Sequence, residues 1–317
     1  MAARIDTAAG LATATNADMG GFRSRVFHSA QQRDLCRGGR PPITPRMQIK
    51  VTTWNINSVR LRINLVAKFI KTVRPDILCL QETKCPDDRF PLKRFKRLGY
   101  ENVALNGQKG YHGVVVLSRL PFESTAIQAF CGKSDCRHVT IVVGERAGLN
   151  DPITLHNFYV PAGGDIPDPA VNAKFAHKLA FLDEMQASEK LRPAASDRAI
   201  IVGDLNVAPL ECDVWSHKQL LDVVSHTPIE CDKLLGVQKA GGWVDAVRSF
   251  VPEPTKLYTW WSYRAHDWTV SDRGRRLDHI WVTPALADRL SAVHVSKDSR
   301  GWTRPSDHVP VTATLEI

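Results

Sequence analysis

Hydrophobic residues recur along this chain in short blocks that predict extended and helical segments from residue 47 onward. Blocks rich in branched and aromatic residues are typical of β-strands. They predict strands at residues 48–54, 77–80, 114–117, 139–143, 153–158, 200–202, 280–282, 292–295 and 309–315. Apolar residues spaced three to four positions apart predict amphipathic helices at residues 59–72 and 172–190.

The order of these segments indicates the fold class. Strand and helix do not alternate strictly, because residues 111–158 have the pattern of consecutive antiparallel strands. A chain of 317 residues in which 43% are hydrophobic can bury a large core. The simplest arrangement is an α/β fold in which two β-sheets pack together, with helices outside them.

The first 46 residues differ from the rest of the chain. They are rich in Ala, Thr, Arg and Gly, lack apolar periodicity and end in a proline-rich stretch. We expect a disordered extension at residues 1–46 and a single folded domain at residues 47–317. Three interpretations of the extension stay open: a plain tail, a misassigned start codon upstream of Met47, and an organelle-targeting segment. The first two are favoured over the third.

Charge and cysteine content narrow the class of protein. The formal net charge is +9, and residues 1–46 hold seven Arg and three Asp. The positive surplus favours a polyanionic partner such as a nucleic acid. Apolar runs long enough to span a bilayer are absent from the sequence. Seven irregularly spaced cysteines give no disulfide framework, so we expect a soluble protein of the reducing cytoplasm.

Five polar clusters lie at the ends of predicted strands. They are residues 54–57, 81–83, 203–206, 277–279 and 306–308, and they contain carboxylates, amides and imidazole. A charged group at the end of an apolar strand is costly unless it meets a cation, a partner or a substrate. The clusters therefore predict one shared polar site, and their residue types suit metal-assisted hydrolysis of a phosphodiester.

Two carboxylates and two amides in these clusters predict a metal site. A hard divalent cation such as Mg²⁺ takes oxygen ligands, usually one or two carboxylates completed by water and substrate phosphate. Glu82, after the strand at residues 77–80, is the first candidate ligand, and Asp307 offers a second carboxylate. Asn55 and Asn57 offer amide oxygens, although an isolated Asn at such a place is more often a turn residue.

Four further residues suit the hydrolytic step. Asp204 and Asn206 alternate along the chain, so Asp204 can take the proton of a water while Asn206 holds the water or a phosphate oxygen. His308 can donate a hydrogen bond to a non-bridging oxygen, or offset its charge as imidazolium. Asp278 is the candidate partner that fixes the tautomer of this imidazole. Each residue alone is as typical of a turn or a core, so these roles depend on the whole set.

The same residues resemble a known family. The chain contains TWNINSVR at 53–60, LQETK at 80–84, HGV at 112–114, NFYVP at 157–161, GDLNVAP at 203–209, YTWW at 258–261, RLD at 276–278 and PSDH at 305–308. These motifs occur in the order found in the exonuclease III family of abasic-site endonucleases, and several ordered motifs are far more specific than one. The resemblance covers about residues 48–317. It implies a four-layered α/β sandwich of two mixed sheets, with an endonuclease/exonuclease/phosphatase catalytic domain at residues 47–317.

The resemblance also implies roles for particular residues. The implied metal site consists of Glu82, Asn55, Asn57 and Asp307. The implied catalytic residues are Asp204, Asn206, His308, Asp278 and Tyr159, whose phenol reaches the scissile phosphate. The resemblance further implies an apolar pocket for a flipped-out baseless sugar, to which Trp260 and Leu277 belong.

Three positions depart from the pattern of the family. Ala162 stands where many relatives carry an amide that contacts the substrate phosphate. Arg275 stands where relatives often have Trp or Leu, and Asn57 replaces an acid found in some relatives. A charged residue at position 275 can narrow the substrate pocket or reach the DNA backbone. The balance between abasic incision and 3′ end trimming is therefore left open.

We expect a Mg²⁺-dependent DNA repair nuclease, with Mn²⁺ as a substitute cofactor. The expected reaction is hydrolysis 5′ to abasic sites in duplex DNA, accompanied by 3′ to 5′ exonuclease and 3′ end-cleaning activity. The expected partner is double-stranded DNA with abasic sites or blocked 3′ ends, bound by a monomer away from membranes. Two alternatives stay open: a hydrolase of the same fold acting on another phosphoester, and a mainly 3′ end-processing exonuclease. A non-catalytic DNA-binding protein would not need the full set of acid, amide and imidazole groups.

Overall fold

The computed structural model describes residues 47–265 and 267–317, so the expected extension at residues 1–46 lies outside the described residues. The described strands are β1 (Gln48–Asn55), β2 (Ile77–Gln81), β3 (Asn102–Asn106), β4 (Val114–Ser118), β5 (Ser124–Ala126), β6 (His138–Val143), β7 (Ile153–Tyr159), β8 (Ala199–Asp204), β9 (Val244–Asp245), β10 (Trp260–Trp261), β11 (Gly274–Arg275), β12 (Asp278–Val282), β13 (Leu290–Val295) and β14 (Val311–Glu316). The described α-helices are α1 (Val59–Val73), α2 (Leu92–Lys96), α3 (Ala173–Ala187), α4 (His217–Leu220), α5 (Pro228–Ala240), α6 (Trp268–Ser271) and α7 (Pro284–Ala287). In this part of the chain, no helix has the length and apolarity needed to cross a membrane.

Two six-stranded mixed sheets form the centre of the fold. The first has the order β13-β14-β1-β2-β4-β3, and the second has the order β5-β6-β7-β8-β12-β9. Each sheet contains a parallel pair, β1 with β2 and β7 with β8, among antiparallel neighbours. The predicted α/β fold with two mixed sheets is therefore confirmed.

Hydrophobic burial on both faces of each sheet produces four layers. The inner faces of the two sheets share one core, which includes Val51, Ile77, Leu155 and Ile200. The outer face of the first sheet packs on α1 through residues such as Leu78, Leu80, Phe69 and Ile70. The outer face of the second sheet packs on α3 and α5 through Phe158, Ile201, Phe181, Leu182 and Leu234. Burying each such side chain contributes about 1.5–3 kcal/mol, so the layers are held mainly by apolar contact.

Several elements differ from the sequence prediction. The strands within residues 111–158 do not form one meander, because β4 lies in the first sheet whereas β5, β6 and β7 lie in the second. The last strand begins at Val311 rather than at residue 309, after Pro310, which has no amide hydrogen for a strand ladder. Helix α5 was not predicted, although Thr227 and Glu230 form a capping box at its start.

The topology brings several strand ends to one rim of the sandwich. Asn55 at the end of β1 pairs with Gln81 at the end of β2. Tyr159 at the end of β7 pairs with Asp204 at the end of β8. Strand β12 is antiparallel to β8 and therefore begins at this rim, with Asp278 opposite Asp204. The polar residues at these ends are thus neighbours in space.

Gly203 allows β7 and β8 to approach each other just below the rim. Its φ is 146°, and a Cβ atom at this position would lie 2.0 Å from the carbonyl oxygen of Phe158. A residue with a side chain therefore cannot replace it without a shift of backbone. This close approach places Asp204 beside Tyr159.

A buried ionic cluster anchors the chain that leads into β12. The Arg276 guanidinium donates to Asp213 at 2.6 and 2.9 Å and to Asp245 at 2.6 Å. Arg248 donates to the same Asp213 carboxylate at 2.5 Å. Burial opposes ionisation of Asp213, but the two guanidinium groups lower its pKa below the usual value. The cluster fixes the backbone two residues before Asp278.

We expect Asp213→Asn to lower the free energy of unfolding by about 3–5 kcal/mol, because it leaves buried guanidinium charge without its full partner. The folded-state pKa of Asp213 is lowered, so this stabilisation is present above the unfolded-state pKa of about 3.9 and is lost as the pH falls below it. Urea unfolding followed by tryptophan fluorescence at pH 7 and at lower pH measures both effects. The control is Asp151→Asn, which removes an exposed ion pair and should cost less than about 1 kcal/mol. Equal losses in the two variants would contradict the prediction.

Candidate active site

The rim opens into a cavity of about 590 Å³. Among the residues that line it are Glu82, Asn206, Leu277, Asp307 and His308, together with Ala162, Trp260 and Arg275. Four of the five polar clusters predicted from the sequence therefore reach one cavity. The fifth cluster, residues 54–57, donates hydrogen bonds to the carboxylates of Glu82, Asp204 and Asp307. Glu82 and His308 thus share one site.

His308 is held by a buried carboxylate. Its Nδ1 donates to Asp278 Oδ2 at 2.8 Å, and both residues are at most 5% exposed. Thr259 also donates to Asp278 Oδ2 at 2.7 Å, and its hydroxyl oxygen accepts the backbone amides of Leu277 and Asp278. Sequence analysis missed Thr259, although it lies inside the aromatic motif at residues 258–261. This arrangement fixes the orientation of the imidazole.

Asp204 faces the other nitrogen of His308. Its Oδ2 lies 3.7 Å from His308 Nε2, and its Oδ1 accepts the backbone amide of Asn206 at 3.0 Å. Burial raises the pKa of Asp204 to about 7, although the positive charge of His308 opposes this rise. Burial alone would lower the pKa of His308, but Asp278 and Asp204 raise it to about 10. Near neutral pH a charged imidazole therefore lies between two carboxyl groups.

Asn55 joins the two sheets at the site. Its Nδ2 donates to Glu82 Oε1 and to Asp204 Oδ2, both at 2.8 Å. Its Oδ1 accepts the backbone amide of Asn57 at 3.0 Å. The amide nitrogen of Asn55, rather than its oxygen, thus faces the carboxylates. This geometry orients Glu82 and Asp204 relative to each other, and the role of Asn55 as a metal ligand stays a prediction.

Lys84 is a site residue that sequence analysis missed. Its ammonium lies 2.8 Å from Glu82 Oε2 and 2.7 Å from Asn57 Oδ1. Burial opposes ionisation of Glu82, but Lys84 and Asn55 lower the pKa of this carboxyl below its usual value. The position of Lys84 in the motif at residues 80–84 was the available signal. Oxygen atoms of Glu82 and Asn57 therefore already contact a positive charge, the ammonium of Lys84.

Asp307 adds a second carboxylate to the oxygen atoms that could bind a cation. Its Oδ1 accepts from Asn57 Nδ2 at 3.1 Å, and its Oδ2 accepts from Trp260 Nε1 at 3.0 Å. Burial opposes its ionisation, but the charge of His308 and these hydrogen bonds lower its pKa. Glu82, Asn57 and Asp307 thus offer two ionised carboxylates and an amide oxygen. This donor chemistry suits a hard divalent cation such as Mg²⁺.

A second group of potential ligands lies beside the first. Among the described residues, Asp204, Asp278 and His308 bring one ligand atom each within 4.8 Å of one another. In this group His308 Nδ1 donates to Asp278, and the imidazole carries a proton on each nitrogen when charged. A metal ligand must be a neutral imidazole with a free lone pair. The set around Glu82 is therefore the better candidate for a cation.

Tyr159 lies next to one residue of each group of ligands, Glu82 and Asp204. Its phenol donates to Glu82 Oε1 at 3.0 Å, and the Arg137 guanidinium stacks 4.9 Å from its ring centre. Burial and the nearby Glu82 and Asp204 carboxyls raise its pKa well above the usual value. The phenol therefore stays protonated and can act as a hydrogen-bond donor next to Glu82.

A buried ion pair supports the turn that carries Asn206. Asn206 has a φ of 54°, and its Nδ2 donates to the carbonyl oxygen of Val160 at 2.8 Å. Lys178 of α3 donates to the Asn206 carbonyl at 2.7 Å and pairs with Glu230 of α5 at 2.5 Å. Sequence analysis missed this pair. A lysine next to Leu179 on the apolar face of α3 was the available signal.

The wall of the cavity beyond His308 is aromatic and cationic. Trp260 and Leu277 line it together with Trp215, as part of a smaller apolar cluster. Arg275 lies on the same wall, where its Nη1 donates to the Val224 carbonyl at 2.8 Å and to Ser225 Oγ at 2.7 Å. Trp261, by contrast, is only 1% exposed and belongs to the core. The pocket predicted for a baseless sugar therefore contains a guanidinium group.

Comparison with known proteins gives a consistent family. The model of the Endonuclease/Exonuclease/phosphatase family matches residues 52–308. Exodeoxyribonuclease III of Haemophilus influenzae is 28% identical over 278 residues, which cover 84% of this chain and 100% of the relative. The structure of an AP endonuclease from Archaeoglobus fulgidus is 30% identical, with a TM-score of 0.77, 85% of this chain covered and 100% of the other. A 3′ phosphatase from Neisseria, bound to a product DNA hairpin, is 28% identical, with a TM-score of 0.75 and the same coverage.

We expect Asp278→Asn to lower the pKa of His308 by more than about one unit, because it removes the carboxylate charge that favours the imidazolium. The imidazole signals of His308 followed by NMR against pH, with a chelator present, measure this pKa. Asp183→Asn, which changes an exposed carboxylate paired with Lys233, serves as the control and should leave the His308 titration unchanged. An unchanged titration in Asp278→Asn as well would show that Asp278 does not set the charge of His308.

Proposed function

The chain belongs to the endonuclease/exonuclease/phosphatase family as a DNA-hydrolysing enzyme of the exonuclease III type, and from this premise we propose a specific reaction. The enzyme hydrolyses the phosphodiester 5′ to an abasic site in duplex DNA and leaves a 3′ hydroxyl. It also acts as a 3′ to 5′ exonuclease and cleans blocked 3′ ends. Its cofactor is Mg²⁺, for which Mn²⁺ can substitute.

One observation carries this proposal: the carboxyl of Asp204, which can act as a base, lies directly behind a cavity lined by a charged imidazole and two carboxylate ligands for a cation. Asn55 connects Glu82 to Asp204 by hydrogen bonds of 2.8 Å, and Asp204 faces His308 at 3.7 Å. A phosphodiester placed in the cavity can therefore meet all three functions at once. Hydrolysis of a stable phosphodiester needs such simultaneous stabilisation of the attacking water and of the phosphate charge.

Asp204 acts as the base for the attacking water. A carboxyl whose pKa lies near 7 accepts a proton efficiently at neutral pH. The backbone amide of Asn206 orients one of its oxygens, and Asn206 itself lines the cavity. Lys178 supports the turn through the Asn206 carbonyl and so keeps Asp204 and Asn206 in fixed relative positions.

Positive charge and hydrogen-bond donors stabilise the phosphate. His308 is charged at neutral pH and is oriented by Asp278, so it can bind a non-bridging oxygen. The Tyr159 phenol stays protonated and can donate to another oxygen. Glu82, Asn57 and Asp307, with Asn55 beside them, would hold the divalent cation, which offsets phosphate charge when bound.

The cavity wall selects the lesion. Trp260 and Leu277 offer apolar surface against which a baseless deoxyribose can lie. A nucleotide that keeps its base costs more to extrude from the duplex than a baseless one. The relative from Archaeoglobus fulgidus is an AP endonuclease, which supports the assignment. The relative from Neisseria is a 3′ phosphatase and favours 3′ end processing as a second candidate.

The proposal also covers the catalytic domain, the oligomeric state, the cellular compartment and the charge of the protein. We assign catalysis to residues 47–317 and propose that the enzyme acts as a monomer. The six cysteines of the described residues are free thiols, which supports a reducing compartment such as the cytoplasm. The net charge of +9 supports a polyanionic partner such as DNA.

We expect the purified protein to nick a duplex that carries a single tetrahydrofuran abasic analogue, with Mg²⁺ present. The labelled strand should end in a 3′ hydroxyl, which a polymerase can extend. A chelator should abolish the nick, and the same duplex without the lesion should stay intact at early times. Asp204→Asn purified in parallel controls for contaminating nucleases. An intact abasic strand in the Mg²⁺ lane would remove the proposal.

We expect Asp204→Asn and His308→Asn to lower turnover by about 10²–10⁴-fold each, because one removes the base and the other removes charge from the phosphate site. Binding to the abasic duplex, measured by fluorescence anisotropy, should change far less. Asp183→Asn, on the exposed surface of α3, should match the parent protein in both measurements. Retained turnover in both site variants would show that the assigned roles are wrong.

A further inference from the structure

Arg275 places a guanidinium in the wall of the substrate cavity. We propose that Arg275 is a specificity-determining residue that favours terminal 3′-phosphate groups over internal abasic sites. The inference rests on the proposed function, because it concerns the choice between two substrates of the same catalytic groups. Its basis is the way Arg275 is anchored, the absence of an acidic partner, and the chemistry of the two substrates.

The guanidinium is anchored so that it stays in the cavity. Strand β11 pairs Arg275 with Trp260 of β10, and the guanidinium lies 5.2 Å from the Trp260 ring centre. Nη1 donates to the Val224 carbonyl and to Ser225 Oγ. A planar guanidinium held by an aromatic face and two oxygen atoms loses little further entropy on binding an anion. The side chain thus forms a fixed part of the pocket wall.

Arg275 forms no salt bridge with an acid of the described residues, although Glu82, Asp165 and Asp307 line the same cavity. Within residues 47–265 and 267–317, Arg275 forms no ion pair, and its buried Nε has no hydrogen-bond partner. Glu230, the acid that acts on Arg275 electrostatically, is already paired with Lys178 at 2.5 Å. An uncompensated, partly buried cation is costly until an anion meets it. The wall is therefore suited to an anionic group.

Two more guanidinium groups border the same cavity. Arg264 and Arg273 line it, and Arg273 stacks 4.6 Å from the ring centre of Trp215. The apolar surface that remains for a neutral sugar comes from Trp215, Trp260 and Leu277. The positive charge on this side of the cavity thus competes for space with the apolar contact that a baseless sugar needs.

The two substrates differ on the side of the phosphate that faces this wall. In both reactions the water oxygen bonds to phosphorus, the P–O3′ bond breaks, and its electron pair stays on O3′, which takes up a proton. An abasic diester presents its remaining bridging oxygen and a neutral sugar to the pocket, and yields a 5′-phosphate. A 3′-phosphate presents a third non-bridging oxygen with additional negative charge, and yields inorganic phosphate. A guanidinium binds that charged oxygen and also occupies room that the sugar needs.

The test compares two substrates with one set of variants. The first is a gapped duplex whose labelled strand ends in a 3′-phosphate, and the second is the same sequence with an internal tetrahydrofuran site. We expect Arg275→Leu to lower the ratio of kcat/KM for the 3′-phosphate to kcat/KM for the abasic site at least fivefold. Arg275→Lys should retain more of the ratio because it keeps the charge. A smaller change, or a rise, in Arg275→Leu would overturn the inference.

Arg119→Leu is the matched control. Arg119 also stacks on an aromatic ring, 4.8 Å from the centre of Tyr100, and donates to a backbone carbonyl, that of Pro75. It follows the end of β4 that is remote from the rim, so its loss should leave the ratio unchanged. Thermal unfolding checks that each variant folds, and Arg275→Gln replaces Arg275→Leu if the latter does not.

Two kinds of failure are distinguishable. A parent protein that cuts neither substrate would remove the proposed function itself. A parent protein that nicks the abasic duplex but shows the same ratio in Arg275→Leu would remove only the inference about Arg275. Inhibition by inorganic phosphate gives a second readout, since its inhibition constant against the abasic substrate should rise at least fivefold in Arg275→Leu. An unchanged inhibition constant would contradict an anion site at Arg275.

Discussion

The hydrogen bonds of one amide hold the two halves of this site together. Asn55, at the end of a strand of the first sheet, donates to Glu82 of that sheet and to Asp204 of the second. Below it, Gln81 donates to Asn157 at 2.7 Å, again across the two sheets. Apolar packing between sheets is tolerant of small shifts, whereas buried hydrogen bonds are directional. These hydrogen bonds therefore fix the distance between Asp204, the proposed base, and Glu82, a proposed ligand for a cation.

Charge balance explains how so many carboxylates are accommodated at one rim. Buried acids are stable only when donors or cations compensate them. Lys84 compensates Glu82, His308 lies between Asp204 and Asp278, and Asn57 with Trp260 supplies donors to Asp307. The same contacts lower the pKa of Glu82, whereas burial keeps that of Asp204 high. One site thus contains an acid ready to bind a cation and an acid ready to take a proton.

The sequence predicted the sheets and the rim well, because strand ends are local features. Glu82 and Asp204 follow apolar runs directly, so their place at the rim could be inferred from neighbours in the chain. The crossing of the chain between sheets after β4 could not, since the same alternating pattern suits either sheet. Lys178 and Thr259 also escaped prediction, because their partners lie 28 and 19 residues away in sequence and meet them only through tertiary packing. The role of a residue that acts through a distant partner is therefore harder to infer from the sequence than the position of a residue at a strand end.

Arg275 stands on a different strand from the proposed catalytic groups, so its side chain can vary while theirs stay the same. The groups proposed to act on the phosphate and its attacking water stand at the ends of β2, β7 and β8 and just before β14, at the rim of the sandwich. Arg275 stands on the short strand β11, outside both main sheets, and contacts the loop at Val224 and Ser225. The backbone of this wall is connected to the catalytic groups, because Trp260 pairs with both Arg275 and His308, so only a change confined to the Arg275 side chain alters the wall alone. If the proposed function holds, preference among DNA lesions can change through this side chain while the hydrolytic chemistry stays the same.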